Sequence, residues 1–254
     1  MELTLIQKIA VFAIPVIFAI TLHEAAHGFI AMKFGDRTAW MLGRVTANPL
    51  KHIDPIGTIG LPLFLLLMSK LAGGPAFLFG WAKPVPVNFN NLRRPKRDML
   101  WVAAAGPGAN LLMAIFWAAM IQLGAVMDGI GVLQLVLSGA DVGVQTNTIE
   151  YFGYQLMLMG AAGILTNAML AAFNLLPIPP LDGGRIAVSL LPAGLANMLA
   201  RVEPFGIFIL IALIFAGALG AVIWPLISLI AELSMLLTGV PAQLLDSLIS
   251  LLLN

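Results

Sequence analysis

Four long stretches with almost no charged side chains constrain what this chain can fold into. Residues 99–127, 151–181 and 204–231 contain no Asp, Glu, Lys or Arg, and residues 9–32 contain only Glu24. A helix needs about 20 mostly apolar residues to cross a bilayer, and each stretch is long enough. Charged residues make up 10% of the 254-residue chain, against about 25% in soluble domains. The sequence therefore predicts a polytopic membrane protein, mainly α, with about four to six transmembrane segments.

The region 33–97 differs from these stretches, because Gly and Pro interrupt its two shorter apolar runs, 55–69 and 71–82. Irregular backbone at membrane depth has to be covered by protein or by water. We therefore expect a re-entrant segment here. Short strands at 38–46 and 85–89 are expected to form a small β-sheet beside it.

The basic residues predict how the chain lies in the membrane. Ten of the thirteen lie between residues 33 and 97, and Arg185 and Arg201 follow the third apolar stretch, so Lys8 is the exception. Basic loops stay on the cytoplasmic side, so the first and third stretches should both run inwards. We expect a multi-pass protein of the plasma membrane. The net charge of +1 gives no reason to expect a nucleic-acid partner.

The first apolar stretch contains HEAAH at residues 23–27, a match to the pattern H-E-x-x-H. On a helix, residues four apart share one face, so His23 and His27 can bind one zinc ion while Glu24 accepts a proton from water. Chance or a structural histidine pair would also give this pattern. Ionisable groups inside an apolar span are costly, however, which favours a functional site.

A catalytic zinc usually has three protein ligands. The chain has no Cys and only one more histidine, His52, whose loop we expect at the cytoplasmic surface. Asp182 is the better candidate, since it follows the third stretch in NLLPIPPLDGG, residues 174–184, and should reach the depth of His23 and His27. An N-cap on a helix beginning at Gly183 would also explain this aspartate.

Three further motifs accompany these two: AGPGAN at 105–110, GWAKPVPVN at 80–88 and NPLKHIDP at 48–55. Together they make the chain resemble the site-2 protease family of intramembrane zinc metalloproteases, in its compact prokaryotic branch without a PDZ or CBS domain. The resemblance covers roughly residues 14–190.

The resemblance implies a role for each matching residue. One zinc ion per chain would be bound by His23, His27 and Asp182. Glu24 would be the general base, and Asn174 would stabilise the oxyanion. Gly106, Pro107 and Asn110 would serve helix packing.

The expected function is hydrolysis of peptide bonds within transmembrane segments of membrane proteins, with the active site toward the cytoplasmic side. We expect a single domain over 1–254, with a catalytic core at about 9–190 and C-terminal helices at about 204–253, which Pro225 could interrupt. An exposed strand edge within Thr38–Phe89 would hold the substrate backbone near the zinc, with Arg44, Val45 and Thr46 as substrate-binding residues. A metal transporter and a catalytically silent relative are the alternatives. The uncharged second and fourth stretches disfavour the first, and the intact Glu24 disfavours the second.

Overall fold

The computed structural model describes residues 3–60, 64, 67, 68, 71, 83–139 and 147–253, and this part of the chain is mainly helical. In chain order its α-helices are α1 (Leu5–Lys33), α2 (Thr38–Met41), α3 (Pro95–Val126), α4 (Gly129–Ser138), α5 (Thr148–Asn174), α6 (Asp182–Leu190), α7 (Ala193–Ala200), α8 (Gly206–Phe215), α9 (Ala218–Thr238) and α10 (Ala242–Leu253). Short 3₁₀ turns lie at Pro49–Lys51, Phe89–Asn91 and Glu203–Phe205, and a π-turn lies at Pro55–Gly60.

Five helical stretches are long and apolar enough to cross a membrane. They are α1, α3, α5, the stretch Ala193–Phe215 that runs through α7 and α8, and α9. The chain is therefore a multi-pass membrane protein, and the prediction of a mainly α protein with four to six spans is confirmed. The third span ends at Asn174, before the prolines of the motif at 174–184.

Local signals fix both ends of α1. At its start the Thr4 hydroxyl accepts a hydrogen bond from the Gln7 N–H, and the Gln7 side chain accepts one from the Thr4 N–H. Two backbone N–H groups that have no partner within the helix are thereby satisfied. At its end Gly35 has φ of 117°, which suits a residue without a Cβ. The chain therefore turns sharply just after Lys33.

The core lies where α3 packs against α5, with α1 alongside both. Glycines permit this close approach: a Cβ on Gly124 would overlap the Gly153 carbonyl oxygen, and a Cβ on Gly160 would overlap backbone and side-chain atoms of α3. Between membrane helices there is little hydrophobic driving force, so small residues that let backbones approach supply the packing energy. The α3–α5 pair is the scaffold on which the polar groups of α1 are arranged.

The fourth apolar stretch is divided at Gly217 and not at Pro225, so the expected break at Pro225 is wrong. Gly217 has φ of 67° and separates α8 from α9, whereas Pro225 lies inside α9. A left-handed residue ends a helix, while a proline within a helix removes only one hydrogen bond from the ladder.

The expected β-sheet is also wrong for the described residues. Part of the segment 38–46 is helical, because Asp36 accepts a hydrogen bond from the Thr38 N–H and so starts α2. The segment 83–88 is not a strand, and Pro84 and Pro86 have no N–H with which to join a ladder.

The expected re-entrant segment falls mostly outside the described residues. Within the run 55–69 the structure shows the π-turn Pro55–Gly60, and the run 71–82 is almost entirely outside the described part. The expectation of a single domain over 1–254 stays a prediction.

The glycine packing generates a test of stability. Gly124→Ala should lower the free energy of unfolding by about 1–3 kcal/mol, since overpacking forces backbone shifts and the neighbouring atom is a backbone carbonyl. Gly131→Ala is the matched control, because a Cβ there meets nothing closer than 3.6 Å. Thermal unfolding in detergent, followed by circular dichroism, measures both. Equal stability of the two variants would contradict the packing account.

Candidate metal centre

All three predicted ligands come together in the structure. His23 and His27 lie on α1, and Asp182 is the first residue of α6. The two imidazole Nε2 atoms are 3.1 Å apart, and each is 3.3 Å from Asp182 Oδ2. Their side chains are 7%, 12% and 13% exposed, in that order. Their ligand atoms all lie within 4.8 Å of one another, so among the described residues these three could together hold a metal ion.

Different elements supply each side of this cluster. The spacing of four residues puts both imidazoles on one face of α1. Opposite them is Gly106 of α3, where a Cβ would overlap His27 Nε2 and crowd His23. Asp182 is brought back by a tight loop after α5. Gly183 and Gly184, in the first turn of α6, lie against the backbone of that loop with no room for a side chain.

The outward-facing ring nitrogens show how the imidazoles are oriented. His23 Nδ1 lies 2.6 Å from Asn110 Oδ1, and His27 Nδ1 lies 2.7 Å from the Val102 carbonyl oxygen. Both partners are acceptors, so each Nδ1 carries the proton. Both Nε2 atoms then present lone pairs, and these lone pairs face Asp182.

A metal ion fits this arrangement. Asp182 Oδ2 is buried and accepts no hydrogen bond from the described residues. A carboxylate and two imidazole lone pairs repel one another unless a positive charge lies between them. A proton or a divalent cation meets that need, and two imidazoles with one carboxylate are a common ligand set for a cation.

Glu24 is held beside the cluster by backbone from another segment. Its Oε2 accepts a hydrogen bond of 2.7 Å from the Val85 N–H. The segment 83–88 is itself fixed, because Arg44 Nη2 donates to the Lys83 carbonyl oxygen at 2.7 Å and the Lys83 N–H donates to the His52 carbonyl oxygen at 2.9 Å. The orientation of Glu24 therefore depends on the loops that follow α1.

A second carboxylate, Asp36, anchors the far end of the same segment. It accepts hydrogen bonds from the Asn88 N–H and from the Asn91 amide, as well as from Thr38. Burial raises the pKa of Asp36, but these hydrogen bonds outweigh burial, so its pKa lies below the usual value. Asp36 stays ionised at neutral pH and fixes the segment against the end of α1.

Asn174, His52 and residues 44–46 are not members of the three-residue cluster. Asn174 ends α5, and its amide donates to the Leu170 carbonyl oxygen at 3.0 Å. His52 is buried, and its Nε2 donates to the Thr46 carbonyl oxygen at 3.0 Å. The Arg44 guanidinium is bonded to its own chain, and the Val45 side chain lies against Gly28. The catalytic role of Asn174 and the substrate-binding role of Arg44, Val45 and Thr46 stay predictions.

Two residues lie next to the cluster, although the sequence predicted only a helix-packing role for them. Gly106 and Asn110 both face the imidazoles from α3. The signal was present in their spacing, because residues four apart lie on the same side of a helix. The pair on α3 thus matches the histidine pair on α1.

Comparison with known proteins identifies the family. The model of peptidase family M50 matches residues 11–217. The chain belongs to peptidase family M50. This match confirms the family resemblance drawn from the motifs.

Individual relatives agree with the M50 match. The candidate zinc metalloprotease YwhC of Bacillus subtilis is 37% identical over 216 residues, which cover 85% of this chain and 84% of YwhC. The candidate zinc metalloprotease Rip2 of Mycolicibacterium smegmatis is 28% identical over 80% of this chain and 66% of its own length. Rip2 of Mycobacterium tuberculosis H37Rv is 26% identical over 81% of this chain and 69% of its own length. No solved structure matches.

The contact between Gly106 and the imidazoles generates a test in this M50 chain. Gly106→Ala should reduce the divalent metal bound per purified chain, because the new Cβ would occupy the space at the two Nε2 atoms. Gly108→Ala is the control, as nothing lies within 4 Å of a Cβ there. Metal content of both variants is measured by elemental analysis after purification in detergent. Full metal content in Gly106→Ala would show that α3 does not limit the space at the cluster.

Proposed function

We propose that this chain is a zinc metalloprotease that hydrolyses peptide bonds within membrane-spanning segments of other proteins. The observation that carries the proposal is the convergence of His23, His27 and Asp182 inside a bundle of apolar helices, with Glu24 beside them. Membership of a peptidase family supports hydrolysis of peptide bonds as the chemistry.

Zinc fits this ligand set. Two imidazoles and one carboxylate leave a fourth coordination position open, as in catalytic zinc sites. Relatives at 37% and 28% identity carry names that describe zinc metalloproteases, which supports the same metal here. We propose one zinc ion per chain, bound by Nε2 of His23, Nε2 of His27 and Oδ2 of Asp182.

When bound, zinc would supply Lewis-acid chemistry, since it polarises a carbonyl and makes water acidic enough to act as a nucleophile near neutral pH. Glu24 would accept the proton of the attacking water and deliver it to the leaving nitrogen. The Val85 N–H, 2.7 Å from Glu24 Oε2, would leave the second carboxylate oxygen free for that transfer. Asn174 would donate a hydrogen bond to the carbonyl oxygen as negative charge develops on it.

The depth of the cluster supports an intramembrane substrate. His23 lies ten residues before Lys33, the last residue of α1, which places it about 15 Å along the helix from that end. A peptide bond that reaches this depth has to belong to a segment that enters the bilayer. We propose that the substrates are membrane-spanning proteins, with Arg44, Val45 and Thr46 on the approach to the site.

The distribution of basic residues supports the orientation. Lys33 ends α1, and Arg93, Arg94, Lys96 and Arg97 lie at the start of α3, so both helices have their basic end on the same side. Under the positive-inside rule this side is cytoplasmic. We propose that the protein lies in the plasma membrane with its metal site toward the cytoplasm.

The proton-transfer role of Glu24 is tested by Glu24→Gln. The variant should bind zinc as the wild type does but lose cleavage of a model transmembrane substrate, because only the proton acceptor is removed. The neutral amide keeps an oxygen that can accept from the Val85 N–H, so the segment 83–88 should stay in place. Cleavage at the wild-type rate would rule out Glu24 as the base.

The ligand assignment is tested by comparing Asp182→Ala with His52→Ala. Removal of Asp182 should release most of the zinc, because the two remaining imidazoles lack the third ligand and the charge that partly neutralises the ion. Removal of His52 should leave the zinc bound, since its Nε2 is bonded to the Thr46 carbonyl oxygen. Zinc per chain in detergent measures both, and the reverse pattern would overturn the assignment without affecting the protease proposal.

A further inference from the structure

Two buried amides connect the candidate metal centre to α5. Asn110 and Asn167 are both 0% exposed. Asn110 Oδ1 lies 2.6 Å from His23 Nδ1, and its Nδ2 donates to Asn167 Oδ1 at 2.9 Å and to the Ala19 carbonyl oxygen at 3.3 Å. Asn167 Nδ2 donates to the Gly163 carbonyl oxygen at 2.8 Å. The contacts run from α5 through α3 to α1.

Such amides are expensive in this position. A buried amide without partners costs several kcal/mol relative to water, and the surrounding bundle is apolar. Apolar side chains of similar size would pack α1, α3 and α5 together without that risk. The pair therefore requires an explanation beyond helix packing, which was the role expected for Asn110.

The hydrogen bonds can be satisfied in one direction only. The Gly163 carbonyl oxygen is an acceptor, so the Asn167 group that faces it has to be the NH₂. Asn167 then presents its oxygen to Asn110, which has to answer with its own NH₂. The Asn110 oxygen is left facing His23 Nδ1, and that nitrogen must carry the proton. In the neutral imidazole, His23 Nε2 is consequently unprotonated, and it points at His27 and Asp182.

We propose that Asn110 and Asn167 are positioning residues that fix the tautomer and the ring orientation of His23, and thereby set the affinity of the centre for its metal. The inference rests on the proposed function only in taking the metal to be zinc. A histidine that carries its proton on Nε2 cannot bind a metal through that atom. Binding is therefore weakened by the inverse of the fraction of protein that remains in the binding tautomer.

The amide is also suited to the charge of this site. A carboxylate at position 110 would accept the same hydrogen bond from His23, as carboxylates often do behind metal-binding histidines. It would add a negative charge close to Asp182 and Glu24 in a poorly solvated interior. Asn110 supplies the acceptor without the charge, and its NH₂ group connects the acceptor to Asn167.

The three histidines of the chain provide a direct readout. His23 and His27 both face acceptors through Nδ1, whereas His52 faces the Thr46 carbonyl oxygen through Nε2. The ¹⁵N spectrum of histidine-labelled, metal-free protein in detergent, recorded at about pH 8, above the ordinary imidazole pKa, reports which nitrogen is protonated. The wild type should show two histidines protonated at Nδ1 and one at Nε2, with the His52 signals assigned from His52→Ala.

Asn110→Leu is the main variant. It should convert His23 to a mixture of tautomers and weaken zinc binding by about 10–100-fold, the usual loss when the partner of a metal-binding histidine is removed. Asn110→Asp should restore the Nδ1 proton, because the acceptor is present again. Asn167→Leu should shift the His23 tautomer less, since the Ala19 carbonyl oxygen still orients the Asn110 amide.

Ser234→Ala is the matched control. Ser234 is 0% exposed, and its hydroxyl donates to the Ile230 carbonyl oxygen. The alanine variant loses this buried hydrogen bond on α9, a helix that carries none of the residues in the proposed contacts. It should change neither the His23 tautomer nor the zinc affinity, so a general effect of losing a buried hydrogen bond is separated from the proposed one.

Two results would overturn the proposal: a bare Nδ1 on His23 in the wild type, or unchanged tautomer and zinc affinity in Asn110→Leu. If Asn110→Leu does not fold, Asn167→Leu decides the question, and an unchanged His23 spectrum in that variant counts against the proposal. A wild type that shows the expected tautomers but neither binds zinc nor cleaves a substrate would remove the proposed function instead, because the spectrum is recorded without metal.

Discussion

A polar atom inside a membrane-embedded helix bundle has no water to bind, so its partner has to come from the protein. Around His23 and His27 this requirement is met on one side of each ring, by Asn110 and by the Val102 carbonyl oxygen. On the other side the two Nε2 atoms and Asp182 Oδ2 face one another without a donor between them. Trp117 and Tyr154 also have buried polar atoms without a partner among the described residues, but each belongs to a largely apolar ring. The lone pairs of the cluster instead converge on one point, and a cation there satisfies all of them.

The convergence depends on how closely α3 approaches α1 and α5. Gly106 lies directly against the imidazoles, and Gly124 lies against the backbone of α5. One glycine therefore makes space for ligand atoms, while the other brings the scaffold helices together. Because both lie on α3, the helix that carries no proposed metal ligand determines the shape of the site.

Much of this organisation could be predicted from the sequence. The lack of charge predicted the spans, because length and hydropathy are sufficient evidence for a membrane helix. The H-E-x-x-H spacing predicted a histidine pair, and the depth argument predicted that Asp182 would meet it. These features depend on the spacing of residues within a motif or on the length of an apolar stretch, and both can be read from one sequence.

The predictions that failed depended on contacts between distant segments. Residues 85–89 have the composition of a strand, but the N–H groups of Val85 and Asn88 bond to the side chains of Glu24 and Asp36 instead of to a neighbouring strand. Pro225 suggested a break, yet the left-handed conformation of Gly217 divides the helices. The spacing of Gly106 and Asn110 places them on one side of a helix, but the contact of Asn110 with His23 also requires the register of α3 against α1, which one sequence does not show.

The order of the ligands along the chain has a consequence for biosynthesis. His23 and His27 leave the ribosome in the first helix, while Asp182 follows only after α3 and α5 have been made. A partly synthesised chain therefore holds two histidines in lipid with neither Asn110, Asn167 nor Asp182 to pair with them. The complete ligand set cannot form until the third span is inserted, so a truncated or stalled chain would lack the centre.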